Sequence, residues 1–104
     1  MTQYEFLIEK INESSHGYGS DSVFYALKAI EYNREIDHEM MADAVFHGWS
    51  WGVLNNPHET RGNKQKALLF YDSLLEIDKS KHRAVARWIL EATRKEQTYE
   101  YFRK

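Results

Sequence analysis

Between Asp37 and Asn55 the apolar and small residues recur three and four positions apart: Met41, Ala44, Val45, Gly48, Trp49, Gly52 and Val53. That period places them along one side of an α-helix, with Glu39, Asp43 and His47 on another. Asp37 has the side chain of a good N-cap, and Ile36 and Met41 have the spacing of a hydrophobic staple across it. Asn55, Asn56 and Pro57 end the stretch, because proline excludes the residue before it from helical geometry.

Four further stretches carry the same period. Tyr4, Leu7, Ile8 and Ile11 predict a helix over 2–13, with Thr2 and Glu5 placed as a capping box. Val23, Phe24, Leu27 and Ile30 predict one over 21–32, capped by Ser20 and closed by Asn33 in a left-handed conformation. Ala67, Phe70, Tyr71, Leu74 and Leu75 predict a helix over 64–77. Ala84, Val85, Trp88, Ile89 and Ala92 predict one over 81–95, capped by Asp78 or Ser80. The tail, 96–104, either extends that helix or docks on the core. No strand-length alternation with hairpin turn signals occurs. The expected fold is all-α: a single domain, a compact bundle of four to five short helices packed as antiparallel hairpins, with the helix over 37–54 central.

Trp51, Leu54, Gly62, Ala67 and Leu74 fall at the spacing of a tetratricopeptide helix pair, which about a third of the chain resembles. The chain departs from that family at Asn55, where glycine is favoured, and at Pro57, where the first helix should continue. Lys79 replaces the family's closing proline. No second copy follows at the expected period, and a solenoid needs about three repeats. The resemblance implies a helix-hairpin packing and no membership.

Composition narrows the picture further. At 104 residues, 42% hydrophobic and 29% charged, the chain suits one soluble globular domain. The net charge of −2 gives neither a polybasic footprint for duplex nucleic acid nor a strongly acidic surface. With no cysteine, disulfides, thiolate metal sites and cysteine nucleophiles are excluded. No basic start precedes an apolar run, and no apolar run approaches the ~20 residues of a membrane span. No signal peptide and no membrane insertion are expected, and a cytoplasmic location fits.

Three functional readings remain. The first is a small non-enzymatic interaction protein, an inhibitor or accessory factor that binds a protein partner or a second copy of itself. Ala44, Gly48 and Gly52 line one helix face, and each internal glycine costs about 1 kcal/mol relative to alanine, so close approach by something is expected. That something is another helix of the domain, a partner or a ligand. Trp49 continues the Met41–Val45 stripe into the core. Trp51 then lies near an edge, where it is either an interface anchor or covered by the tail. Lys79, Lys81, His82, Arg83 and Arg87 gather basic charge near the start of the last predicted helix. Charge of that sign opposes the helix dipole, which hints at an acidic partner. For this reading the partner-binding residues are Trp51, Gly48, Gly52, Arg83 and Arg87.

The second reading is a small-molecule binder for a nucleotide or other anion. The segment HGYGSDS, residues 16–22, opens a helix whose N–H groups can receive an anion, and His58, Arg61, Asn63 and Lys64 surround the next helix start. His16, Tyr18, His58, Arg61 and Lys64 would serve if both loops faced one cleft. The segment lacks the lysine and spacing of a P-loop. The third reading is a metal-dependent enzyme. Glu39, Asp43 and His47 step by four, so one face presents two carboxylates and an imidazole. In the bland alternative they form a solvated face with one carboxylate–imidazole pair worth about 0.2–0.5 kcal/mol. No cofactor, nucleophile elbow or serine–histidine–aspartate set is expected.

Overall fold

The structure is a computed structural model. It describes Glu5, Leu7, Glu9 and residues 18–103, with side chains through Arg94. Helix α1 spans Ser20–Tyr32, α2 His38–Leu54, α3 Arg61–Ala67 and α4 Glu76–Arg103; a single 3-10 turn, Tyr71–Ser73, lies between the last two. There is no strand among the described residues. The fold is all-α, and α2 is central: it packs on α1, α3 and α4, whereas α1 and α4 barely touch.

Helix α2 starts and stops where its sequence requires. The Asp37 carboxylate accepts the Met40 N–H at 2.8 Å, and Ile36 and Met41 are both buried beside the cap. At the other end the Asn55 side chain donates to the Trp51 carbonyl at 2.8 Å, beside the Asn55 backbone N–H, which bonds the same carbonyl at 3.1 Å. One side of α2 buries Met41, Ala42, Val45, Phe46 and Val53. Phe46 is the largest fully buried side chain of the described residues. It stacks on half-buried Trp49 at 6.1 Å between ring centres.

Gly48 is where α1 meets α2. A Cβ there would fall 2.5 Å from the Ser22 Cα and 2.7 Å from the Asp21 carbonyl carbon, a distance no packed side chain allows. The Ser22 hydroxyl donates to the Val45 carbonyl one turn earlier, at 3.2 Å. The start of α1 thus lies on the second half of α2, so the two form an antiparallel hairpin.

Several expected boundaries differ. Gly19, in extended conformation, is the N-cap of α1 rather than Ser20, and no side chain caps it. Asn33 is extended, not left-handed, and closes α1 through its N–H to the Ala29 carbonyl. Phe24 faces water, because the hairpin rotates α1 to bury Ser22, Val23, Ala26 and Ile30. The helix expected over 64–77 is not continuous: α3 covers only Arg61–Ala67, with its N-terminus capped by Thr60, and Phe70 and Leu74 are extended. The last helix begins at Glu76, so Asp78 and Ser80 lie inside it rather than capping it, and with 28 residues it is not short. Of the helix expected over 2–13, only Glu5, Leu7 and Glu9 are described; all three are helical and Leu7 is fully buried.

Candidate interaction surface

His82 is a titratable side chain buried among aromatic rings, at 6% exposure. It lies on the stripe of α4 that continues with Val85, Ala86, Ile89, Leu90 and Thr93, all buried. Phe46, Tyr18, Trp49 and Tyr71 surround its ring at centroid distances of 5.1, 5.5, 6.1 and 6.4 Å. The Tyr18 hydroxyl is 2.6 Å from His82 Nδ1. Burial drives the phenol well above its ordinary range, with Asp78 and Tyr71 adding to the effect. Burial also pushes the imidazole down to about 4; Asp78 opposes that shift and Lys81 reinforces it. Both groups are therefore neutral at physiological pH. One hydrogen bond joins the phenol and Nδ1, its direction set by which ring nitrogen carries the single proton. This is a satisfied structural pair inside an aromatic cluster.

Tyr18 is thereby withdrawn from the role of a stacking platform for a base. His16 lies outside the described residues. His58 and Arg61 are exposed and Lys64 is half-buried. A shallow groove on α1 is lined by Phe24, Leu27, Lys28 and Glu31, none of them a residue expected to bind an anion.

The expected metal face also divides. His47 Nε2 approaches Asp43 Oδ1 at 3.0 Å, as the helical spacing suggests. Glu39 turns away to other partners. It accepts Arg83 Nε and Nη2, the latter at 3.3 Å, and the Tyr71 hydroxyl at 3.3 Å. The Arg83 hydrogen bond, helped by its positive charge and by the tyrosine, holds the Glu39 carboxyl below the usual range. No cluster of three metal-ligating side chains exists among the described residues. Ser50 follows His47 on the same face, but it is buried and its Oγ makes no hydrogen bond, so it is not primed by the imidazole.

The residues expected to meet a partner are equally separated. Gly48 is buried under the start of α1, and Gly52 faces the Asp21 carboxylate at 3.1 Å from a virtual Cβ. At Gly48 the close approach is therefore intramolecular, and that glycine is corrected from a partner contact to a packing contact; Gly52 is only half-buried. Arg83 is held by Glu39 and also donates to Glu76 at 2.8 Å. Lys79 pairs with Glu76 and lies over the Tyr71 ring. Two cations of the basic cluster, Lys79 and Arg83, thus meet carboxylates within the chain. The cluster does not oppose the helix dipole, because the first turn of α4 carries Glu76 and Asp78. Arg87 is exposed, and Trp51 is 55% exposed at the edge of α2.

The largest departure from expectation lies in the connection between α3 and α4. Ala67, Tyr71 and Leu74 point inward and are buried. Leu68, Leu69, Phe70, Leu75 and Ile77 remain in water at 73, 47, 81, 71 and 67% exposure. Phe70 and Leu75 had the spacing of core residues. The 3-10 turn at Tyr71–Ser73 breaks the helical period and rotates both outward. A run of five apolar residues leaves too few inward positions between α3 and α4 for all of them, and part of the segment must face out.

No protein-family model matches the chain, and no curated protein or solved structure matches it either. The tetratricopeptide spacing has no structural counterpart: Trp51 and Leu54 are exposed, and the expected second helix ends at Ala67.

Proposed function

We propose that this chain is a non-enzymatic interaction protein that binds a protein partner through the segment Leu68–Ile77. The observation that carries the reading is the display of five large apolar side chains by ten consecutive residues, on a connection whose Tyr71 and Leu74 are buried beneath. Single exposed apolar residues are ordinary, whereas five within ten residues of chain are what a contact surface supplies. The turn Tyr71–Ser73 is anchored by the bonds from the Ser73 N–H to the Phe70 carbonyl and from the Leu74 N–H to the Tyr71 carbonyl. The surface is thus shaped before binding, which lowers the ordering cost of association.

The test is a photoreactive phenylalanine analogue at Phe70, irradiated in cells of the natural source. A discrete cross-linked species, lost when Leu75 is also replaced by glutamate, supports the reading. If position 70 yields no discrete adduct, the surface does not meet a protein.

A further inference from the structure

The apolar segment between α3 and α4 has a size and a charge balance that select its occupant. At their observed exposures the five side chains leave roughly 700 Å² open, taking about 200 Å² for a fully exposed residue of this size. The largest apolar patch of an ordinary monomer is about 300–600 Å². One side of a standard protein–protein interface contributes ~800 Å². The five residues together therefore reach the upper end of what a monomer exposes and approach one side of a complete interface.

The stretch 64–79 that contains the segment carries no net charge. Lys64, Lys66 and Lys79 are balanced by Asp72, Glu76 and Asp78. Lys66 already pairs with Asp78 at 3.4 Å and Lys79 with Glu76 at 3.8 Å. A stretch so balanced neither steers a strongly charged partner nor repels a surface like itself. A copy of the chain meets both conditions: apolar area that matches in size, and interspersed charges that can face their opposites across a two-fold axis.

We infer that the occupant is a second copy of this chain, in an isologous dimer centred on Phe70, the most exposed of the five. The inference rests on the proposed interaction function and names its partner. In the dimer Phe70 of each protomer packs among Leu69, Leu75 and Ile77 of the other. The Tyr71 and Leu74 side chains, buried in each protomer, hold the two surfaces in shape.

Sedimentation velocity of the full chain over a wide concentration range tests this. The expected result is a reversible shift from the 12.4 kDa monomer to twice that mass. Phe70→Glu should raise the dimer Kd at least ~30-fold, as loss of a central anchor does. Leu75→Glu should act in the same direction, and both variants should keep the parent's circular dichroism spectrum. A chain that stays monomeric at the highest concentration reached, or a dimer indifferent to both substitutions, overturns the inference. The cross-linker at position 70 separates this failure from that of the broader reading. An adduct of twice the chain mass supports the dimer. An adduct with a different protein, from a chain that sediments as a monomer, overturns the dimer and leaves the interaction function standing. No adduct removes both.

Discussion

Gly48 and Gly52 look alike in the sequence and differ in what surrounds them. Gly48 faces the backbone of Asp21 and Ser22, which cannot move without displacing the start of α1. Gly52 faces only the end of the Asp21 side chain, which can swing aside. Gly48→Ala should therefore destabilise by about 1–3 kcal/mol, because overpacking exceeds the gain in helix propensity. Gly52→Ala should keep most of that gain, up to about 1 kcal/mol, and raise the melting temperature. Thermal melts of the two variants check both signs. His82 belongs to the same scale. The unfolded chain takes up its proton near pH 6.5, and the fold accepts it only near 4. The unfolded state thus binds more protons between those values, so stability is full above about pH 6.5 and falls as the pH drops to about 4. The loss approaches ~3 kcal/mol. Urea midpoints of the parent should fall across that window, and those of a Tyr18→Phe/His82→Phe double variant should fall much less. Equal slopes in the two proteins would remove His82 as the cause.

The helices were unequally legible. α2 could be read from Asp37 to Asn55 because cap, staple, period and stop all agree there, and agreement between levels is what specifies an element. Even so, Phe46 was missed: it sits between the two stripes of the helix, and only packing against His82 and Tyr71 reveals it as core. The segment 64–77 misled because apolar spacing records which residues could line one face, not whether a neighbour exists to cover that face. Its period fits a helix, yet Leu68, Leu69, Phe70, Leu75 and Ile77 find nothing to cover them among the described residues. His82 did carry a signal, since it falls three and four residues before Val85 and Ala86 on the buried stripe. Tyr18, 64 positions away, carried none. A pair of substitutions tests the division between core and surface. Phe46→Ala should cost about 3–5 kcal/mol. Phe70→Glu should change the stability of the monomer, measured at low concentration, by no more than about 0.5 kcal/mol. Comparable losses from the two would mean that the 68–77 segment is packed.

The whole molecule is elongated, 49 × 25 × 21 Å, with a radius of gyration of 14.0 Å against about 13 Å for a compact chain of this length. α4 accounts for the shape, since 28 helical residues span about 42 Å, longer than the body it packs on. No helix of the described residues is long and apolar enough to cross a membrane. At this scale the exposed segment becomes a thermodynamic quantity. If two folded copies associate and unfolded chains do not, mass action ties stability to concentration. The melting temperature should rise with protein concentration for the parent and stay constant for Phe70→Glu, which scanning calorimetry at several concentrations would show.

The hydrogen bond between Tyr18 and His82 also bears on how fast the chain opens. It joins residues 64 positions apart. Closing a loop of that length costs several kcal/mol of chain entropy before any contact forms. The α1–α2 hairpin, whose strongest contacts lie within 30 residues, can assemble without it. The bond should therefore form after the folding barrier and break before it in reverse. Tyr18→Phe should leave the refolding rate nearly unchanged and accelerate unfolding, so that its whole effect appears on the unfolding limb of a stopped-flow chevron.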